Sequence, residues 1–398
     1  MNILIINHHT NIEKYGSSSR HFTIGKKLSL LGHNILLVGS SYNQRENKYI
    51  HKDLIKYDEI NEKFAFLSIR SRPEYANTPM RLLNYIDFTI KSAFVKPNFK
   101  PDIVVGSSVH PFVWISAYRI AKKYNAEFHI EVRDIWPLSL LEDLPVFSRE
   151  LIMNISKYYE KYFYNKAKSI IVTAPLAHRY IEDKFNIDKS KVNYVPHGID
   201  ISRFDELSEE NTSEVSLPDR VNITYTGALS SSEGLENFIQ LAKEFKNNNN
   251  IHFNIIGDGN QKNKLNDMVT KLKLENITFY GHVQSQFIPS ILRESDILWC
   301  GLKSREAFKY SISKNKFYDY LASCNPIIFH SDVKDSPLEQ SDAAFIVPLN
   351  RLPINELSQL ISNGKLRETM GNKGRKFVVD NHEISIISKR YIHEFNTR

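Results

Sequence analysis

Short runs rich in β-branched residues recur along this chain at intervals filled by helical patterns, and that alternation limits the fold more than any other feature. The runs "NILII" (2–6), "NILLV" (34–38), "DIVVG" (102–106), "EFHIEV" (127–132), "SIIVT" (169–173) and "VNYVP" (192–196) occupy the first half. The pattern restarts with "VNITYT" (221–226), "HFNIIG" (252–257), "NITFY" (276–280), "DILWC" (296–300), "NPIIF" (325–329) and "AAFIVP" (343–348). Strand-length runs alternating with helices are the pattern of βαβ units, whose parallel sheet is covered on both faces. The first interval predicts a helix, with serines at its start, apolar Phe22, Ile24, Leu28 and Leu31 on one stripe, and Gly32 just past its end. The chain therefore reads as α/β, with two doubly wound parallel-sheet domains, 1–200 and 221–380. The polar, proline-containing stretch "DELSEENTSEVSLPDR" lies in a linker assigned to 201–220, and a last helix to 381–398.

A length of 398 residues suits two domains, and 41% hydrophobic with 24% charged residues is ordinary globular composition. No stretch approaches the roughly 18–20 apolar residues of a spanning helix. The opening "MNILIINHHT" reads as a strand and not as a signal peptide, and two cysteines offer no disulfide framework. The expected location is the cytoplasm. The net charge of +7 is spread along the chain without aromatic stacking motifs, which argues against nucleic acid. Anionic small substrates or an anionic membrane surface fit it better.

In open α/β sheets ligands bind outside the carboxyl ends of the strands, so the loops that follow strands hold the candidates, on both sides of a cleft between the domains. After the first strand, Gly16 and Ser17 lead into a helix start able to accept an anion. His110 in "SSVHPF" and Arg133 with Asp134 in "EVRDIWP" lie at two further strand ends. For Arg133 and Asp134 the alternative is an internal pair that only fixes the loop. In the second half, Gly227 and Gly257 permit close backbone approach to a ligand, and the backbone around Val283 can bond a nucleobase edge. The segment "SISKNKFYDYLASCNPIIF" starts a helix near Ser313. One reading is capping by Ser313 with Asn315 and Asp319 facing water. The other is a diphosphate held by the helix N-terminus and Lys316, with Asp319 one turn on accepting two ribose hydroxyls, a spacing that fits a nucleoside diphosphate.

Together "INHHTNIEKYGSSSRHF", "SSVHPF", "EVRDIWP", "VPHGID", "TGALSSSEGLENFI", "IIGDG", "ITFYGHV" and "SISKNKFYDYLASCNPII" resemble retaining GT-B glycosyltransferases of family 4. The likeness is to bacterial O-antigen and capsule enzymes that transfer amino sugars of the N-acetylfucosamine type. The resemblance covers nearly the whole chain. It implies a donor nucleotide, with UDP as base carrier, on the C-terminal domain, and a lipid-linked acceptor on the N-terminal one. It also implies a terminal helix crossing back to the first domain. Two departures stand out. Ser311 and Asp319 occupy the positions of the family's Glu–x7–Glu pair, and "ALSSSE" replaces an Arg and a Lys, leaving Lys316, Lys303 or Arg305 to meet the diphosphate.

No Asp-x-Asp motif occurs, so neither a metal nor another cofactor is expected. The resemblance implies front-face transfer with retention, in which the departing phosphate helps to take the acceptor proton, His110 contacts the sugar or the adjacent backbone, and Asp134 orients the acceptor. A nucleotide-sugar 2-epimerase of the same fold and a non-catalytic nucleotide-sugar-binding protein stay open as alternatives. Finally, Met80, Leu83, Ile86, Ile90 and Phe94 recur at helical spacing beside Arg81, Lys91 and Lys96. That pattern fits either a helix packed on the sheet or a peripheral site on an anionic membrane, where a polyprenyl-diphosphate-linked saccharide would be met.

Overall fold

The structure, a computed structural model, describes residues 1–15, 19–43, 47–73, 79–108, 110–138, 146–210 and 215–396. It divides into two units, Met1–Pro196 with Ile384–Arg398, and His197–Glu383. The N-terminal unit carries strands β1 (Asn2–Asn7), β2 (Asn34–Ser40), β3 (Tyr42–Asn43), β4 (Lys48–Tyr49), β5 (Ile55–Asn61), β6 (Phe64–Ile69), β7 (Ile103–Ser108), β8 (Glu127–Val132), β9 (Ser169–Val172) and β10 (Val192–Tyr194). Eight of them form one sheet in the order β10-β9-β8-β7-β1-β2-β6-β5, while β3 and β4 form a separate ribbon. Every pairing in the large sheet is parallel except that of β5 with β6. Ile3, Leu4, Ile5 and Ile6 of the central strand are fully buried, as a strand covered on both faces demands. The hairpin β5–β6 has no counterpart in the sequence reading. Its outer strand is mostly exposed or half-buried, apart from buried Asp58, and carries Lys56 and Glu59, charges that discourage further pairing at an edge.

Helix Arg20–Leu30 begins at Ser19, whose side chain accepts from the backbone N–H of Phe22 at 3.3 Å. Helix Ile384–Asn396 belongs to this same unit, because Ile384, Ile387, Tyr391 and Phe395 pack with Ile3, Leu28, Ile171 and Val195 in one core. A buried ionic group ties these elements together. Glu131, at the end of β8 and with no exposed surface, meets Arg20 at 3.4 Å, His21 at 3.1 Å and Ser107 at 3.2 Å. Burial would raise its pKa, but His21 and Arg20 overcome that and hold it far below the usual carboxylate range.

The C-terminal unit carries β11 (Val221–Thr226), β12 (Ile251–Ile256), β13 (Ile277–Gly281), β14 (Ile297–Gly301), β15 (Ile327–His330) and β16 (Ala344–Val347), in the order β13-β12-β11-β14-β15-β16 and all parallel. One core gathers Phe238, Phe253 and Trp299, and another gathers Phe317, Tyr320 and Phe329. The expected linker at 201–220 is corrected in part. Residues Ile201–Glu210 form a helix of this unit, with Phe204 buried beside Leu292 and Tyr320, and Asp205 clamped by Arg293 at 2.6 Å and Arg375 at 2.5 Å. An apolar anchor and two cations give this polar segment a fixed place.

A second correction concerns helix Pro79–Ser92. Its apolar stripe does not pack on the sheet: Met80, Leu83, Ile86, Ile90 and Phe94 are 37%, 42%, 41%, 57% and 63% exposed. The buried face is instead Asn84, Tyr85, Phe88, Thr89 and Ser92. Asn84 donates to Ser71 Oγ at 3.1 Å and Ser92 Oγ to Ser116 Oγ at 2.9 Å, while Asn84 Oδ1 and Thr89 Oγ1 have no hydrogen-bond partner among the described residues.

On helix Val146–Lys166, Glu160 is buried and accepts from the hydroxyls of Tyr164 at 3.0 Å and Tyr180 at 3.2 Å. Burial pushes its carboxyl up to about 8. A carboxyl with a raised native pKa holds its proton in the folded state after the unfolded chain has released it, so stability falls as pH rises from the ordinary carboxylate range towards 8. Urea unfolding of wild type and Glu160→Gln from pH 5 to pH 8 should give curves whose difference changes by up to about 1.4 kcal/mol per pH unit in favour of the variant. Parallel curves would mean that Glu160 is ionised throughout.

Candidate functional site

The carboxyl ends of β11, β12 and β13 are locked together by glycines. Gly227 has φ +141° and Gly257 φ +142°, a left-handed region that side chains rarely occupy. A Cβ on Gly257 would lie 1.8 Å from the Gly227 carbonyl oxygen, and a Cβ on Gly227 would lie 2.7 Å from Lys316 Nζ. The Gly227 N–H donates to Ile256 O at 2.9 Å and the Gly257 N–H to Gly281 O at 2.7 Å. Both glycines thus allow close contact between loops and with Lys316. Val283 is half-buried in the loop just beyond β13.

The helix of the singled-out segment runs Asn315–Ala322, with Lys314 as N-cap and no side-chain cap. Capping by Ser313 is therefore corrected: its hydroxyl lies 2.7 Å from Tyr318 Oη, and the helix starts two residues later. Asn315 is exposed at the first position. Lys316 turns inward, 2.8 Å from Glu233, 3.2 Å from Tyr225 Oη and 4.3 Å above the Tyr225 ring. Lys314 also bonds Glu233. Glu233 is itself buried, on the short turn Ser231–Glu233, which is held against the loop beyond β14 by a Lys303 N–H to Ser232 O bond of 2.9 Å. Burial alone would raise the Glu233 pKa, yet Lys316 and Lys314 hold it at about 2, and Tyr225 together with Glu233 keeps Lys316 charged despite its burial. Two ammonium groups facing one carboxylate leave one net positive charge beside a helix N-terminus, an arrangement suited to an anion. Lys303 turns to Glu236 at 3.0 Å, so it does not add a separate free charge here.

Asp319 lies one turn beyond Lys316 and is half-buried. No hydrogen bond or ion pair of its carboxyl is found among the described residues, and burial pushes it up to about 7. A half-buried carboxyl without a partner is ready to accept donors from outside the protein. Ser311, eight residues earlier, adopts φ +65° and donates to Asp335 O at 3.2 Å. Sequence reasoning missed Glu233 and Tyr225. The only signal was an acid in a serine-rich turn, whose cationic partners lie 81 and 83 residues away.

In the N-terminal unit His110, expected at the sugar or the adjacent backbone, has no exposed surface. Its Nε2 is 2.8 Å from His8 Nδ1, and its ring stacks on Tyr85 at 3.9 Å while His8 stacks on Phe88 at 4.1 Å. Burial, with His9 and Arg81 nearby, keeps His110 well below its ordinary pKa and hence neutral. Arg133 is half-buried, its carbonyl accepting from Thr173 at 3.3 Å, and Asp134 is exposed just past β8. Gly16 and Ser17 lie outside the described residues. Of the three basic residues assigned to a membrane, Arg81 donates to Tyr85 Oη at 2.6 Å, Lys91 pairs with Asp87 at 2.8 Å, and Lys96 is exposed.

Residues 16–203 match the family model "Glycosyltransferase Family 4" and residues 208–311 match "Glycosyl transferases group 1". An uncharacterized glycosyltransferase of Methanocaldococcus jannaschii is 27% identical over 247 residues, 58% of this chain and 57% of its own. The putative colanic acid biosynthesis glycosyl transferase WcaI of Escherichia coli is 22% identical over 236 residues, 56% of this chain and 57% of its own. The chain thus spans little more than half the length of these relatives. Among solved structures, a glycosyltransferase of Rickettsia africae aligns with TM-score 0.70 at 16% identity, covering 99% of this chain and 97% of the other. The Anabaena protein HepE in complex with UDP aligns with TM-score 0.67 at 12% identity over the whole of both chains. At these identities the structural likeness is one of fold. The chain therefore has the GT-B fold, and its sequence is similar to the family 4 and group 1 glycosyltransferases in the successive segments those two models match.

Proposed function

We propose that the chain is a retaining, metal-independent glycosyltransferase. It moves an N-acetylated amino sugar from a UDP-linked donor to a lipid-linked saccharide, at the inner face of the cell membrane, in the synthesis of a bacterial surface polysaccharide. The observation that carries this reading is the Lys314–Lys316–Glu233 group, with its net positive charge, one helical turn from the unpaired Asp319. Diphosphate charge and two neighbouring ribose hydroxyls are the chemistry those groups match. The reading is supported by the UDP named in the HepE complex and by the colanic acid biosynthesis named for WcaI. In the reaction the anomeric carbon–diphosphate bond breaks, the acceptor oxygen bonds the same face of that carbon, and its proton passes to the departing phosphate. Lys314, Lys316 and the helix N-terminus stabilise the charge that develops on that phosphate. Asp134 orients the acceptor, and His110, neutral and buried, positions the loop after β7. Val283, Asn315 and Lys303 complete the donor surface.

Release of nucleoside diphosphate from UDP-N-acetyl sugars should require addition of a polyprenyl-diphosphate-linked saccharide and should persist in excess chelator. Release without acceptor would favour the epimerase reading, and no release with retained binding would favour a binding protein. Asp319→Ala should weaken nucleoside diphosphate binding by about 1.5–3 kcal/mol by calorimetry. Since the carboxylate is the accepting form and titrates at about 7, wild-type affinity should fall as pH drops from 8 to 6, while Asp319→Asn shows a flatter profile. Equal profiles would remove Asp319 from the ribose. Lys316→Ala should abolish most turnover and, by leaving Glu233 one cation short, cost about 1–3 kcal/mol of stability. Full activity in that variant would remove the residue from the mechanism.

A further inference from the structure

Helix Val146–Lys166 exposes Leu151, Ile155, Tyr158 and Tyr162 by 63%, 60%, 78% and 50%. Their spacing of four, three and four residues puts them on one stripe. The opposite side of this helix is packed: Tyr159 meets Phe112 at 6.1 Å between ring centres, and Phe163 meets Trp114 at 6.2 Å. Its neighbour, helix Val113–Tyr124, exposes Ile115 by 42% and meets Tyr162 through Tyr118. On the other side of that neighbour, Ser116 Oγ donates to Thr89 O at 2.7 Å, which joins it to helix Pro79–Ser92 and its outward apolar stripe. Between these last two helices lies a groove of about 340 Å³ lined by Ile86, Ile90, Phe94, Phe112, Ile115 and Arg119. The Arg119 guanidinium sits 4.5 Å from the Phe94 ring centre at its rim.

Charge decides what this surface meets. Exposed Arg119, Lys122, Lys123, Lys157, Lys161 and Lys166 outnumber the exposed Glu150 on the two later helices, where Glu160 is buried. The stripe on helix Val146–Lys166 is flanked by Asn154, Lys157, Lys161, Asn165 and Lys166, with Glu150 at its N-terminal end as the one exposed acid among the described residues of this helix. Pairing it with a second copy would set several lysines against one another with Glu150 alone to answer them. An anionic lipid surface answers those cations, and exposed tyrosines suit its interfacial zone.

We infer that the N-terminal unit inserts into an anionic bilayer through this three-helix face, with the Leu151–Tyr162 stripe as its main anchor and the groove beside Ile115 receiving a lipid chain. The inference rests on the proposed use of a lipid-linked acceptor and adds the surface by which the bilayer is met. Wild type should co-sediment with phosphatidylglycerol–phosphatidylcholine vesicles and bind phosphatidylcholine alone weakly. The exposed pair Leu151→Asp and Ile155→Asp should lower vesicle affinity at least about tenfold, with melting temperature and nucleotide affinity unchanged. Ile115→Asp should lower it by a smaller factor. Retained vesicle binding in the paired variant, or none by wild type at low salt, would overturn the inference. So would a wild-type dimer in sedimentation that the paired variant dissociates, which would assign the stripe to a second copy. If vesicle binding behaves as expected but no acceptor triggers nucleotide release, the transferase reading fails and this surface stands.

Discussion

Parallel strands present two apolar faces, and both must be covered before the sheet is stable. In the N-terminal unit that requirement places helices Arg20–Leu30 and Ile384–Asn396 in one core, around Ile3, Leu28 and Tyr391. It is also compatible with β5 running antiparallel to β6, because an outer strand need bury only one side. The loops at the carboxyl ends of the strands are then carried by elements that cannot easily shift.

The same demand does not require the inner surface of a covering helix to be its apolar one. In helix Pro79–Ser92 the buried face contains Asn84 and Ser92, whose side chains donate within the protein, and Thr89, whose backbone carbonyl accepts from Ser116, while aliphatic side chains point outward. The energetic balance differs from an ordinary amphipathic helix. Buried polar groups with partners are roughly neutral, and the exposed apolar stripe keeps its burial energy for another contact.

Much of this fold was legible because parallel strands read as continuous apolar runs, from "NILII" to "AAFIVP". The hairpin β5–β6 was not, since "IKYDEIN" alternates too weakly to separate an edge strand from a loop. Periodicity located the helix at 79–92 but could not tell which side faced the sheet, because hydropathy does not register that Ser71 and Ser116 await Asn84 and Ser92. At the candidate site, Lys316 and Asp319 were readable from their position at a helix start. Glu233 was not, since its role exists only once β11 and the helix Asn315–Ala322 lie side by side. His110 was readable as a residue at a strand end, but its depth was set by Tyr85 and His8.

The contact between Gly257 and Gly227 makes the ends of β12 and β11 a single gauge. With the Gly227 carbonyl only 1.8 Å from where a Cβ on Gly257 would stand, any side chain there must push the β11 loop outward. That loop in turn borders Lys316 Nζ, so the displacement would be passed to the ammonium group held by Glu233. Two hydrogen atoms in place of side chains thereby fix how far a cation stands from the sheet, and the position of the positive charge is set by backbone thickness and not by side-chain choice.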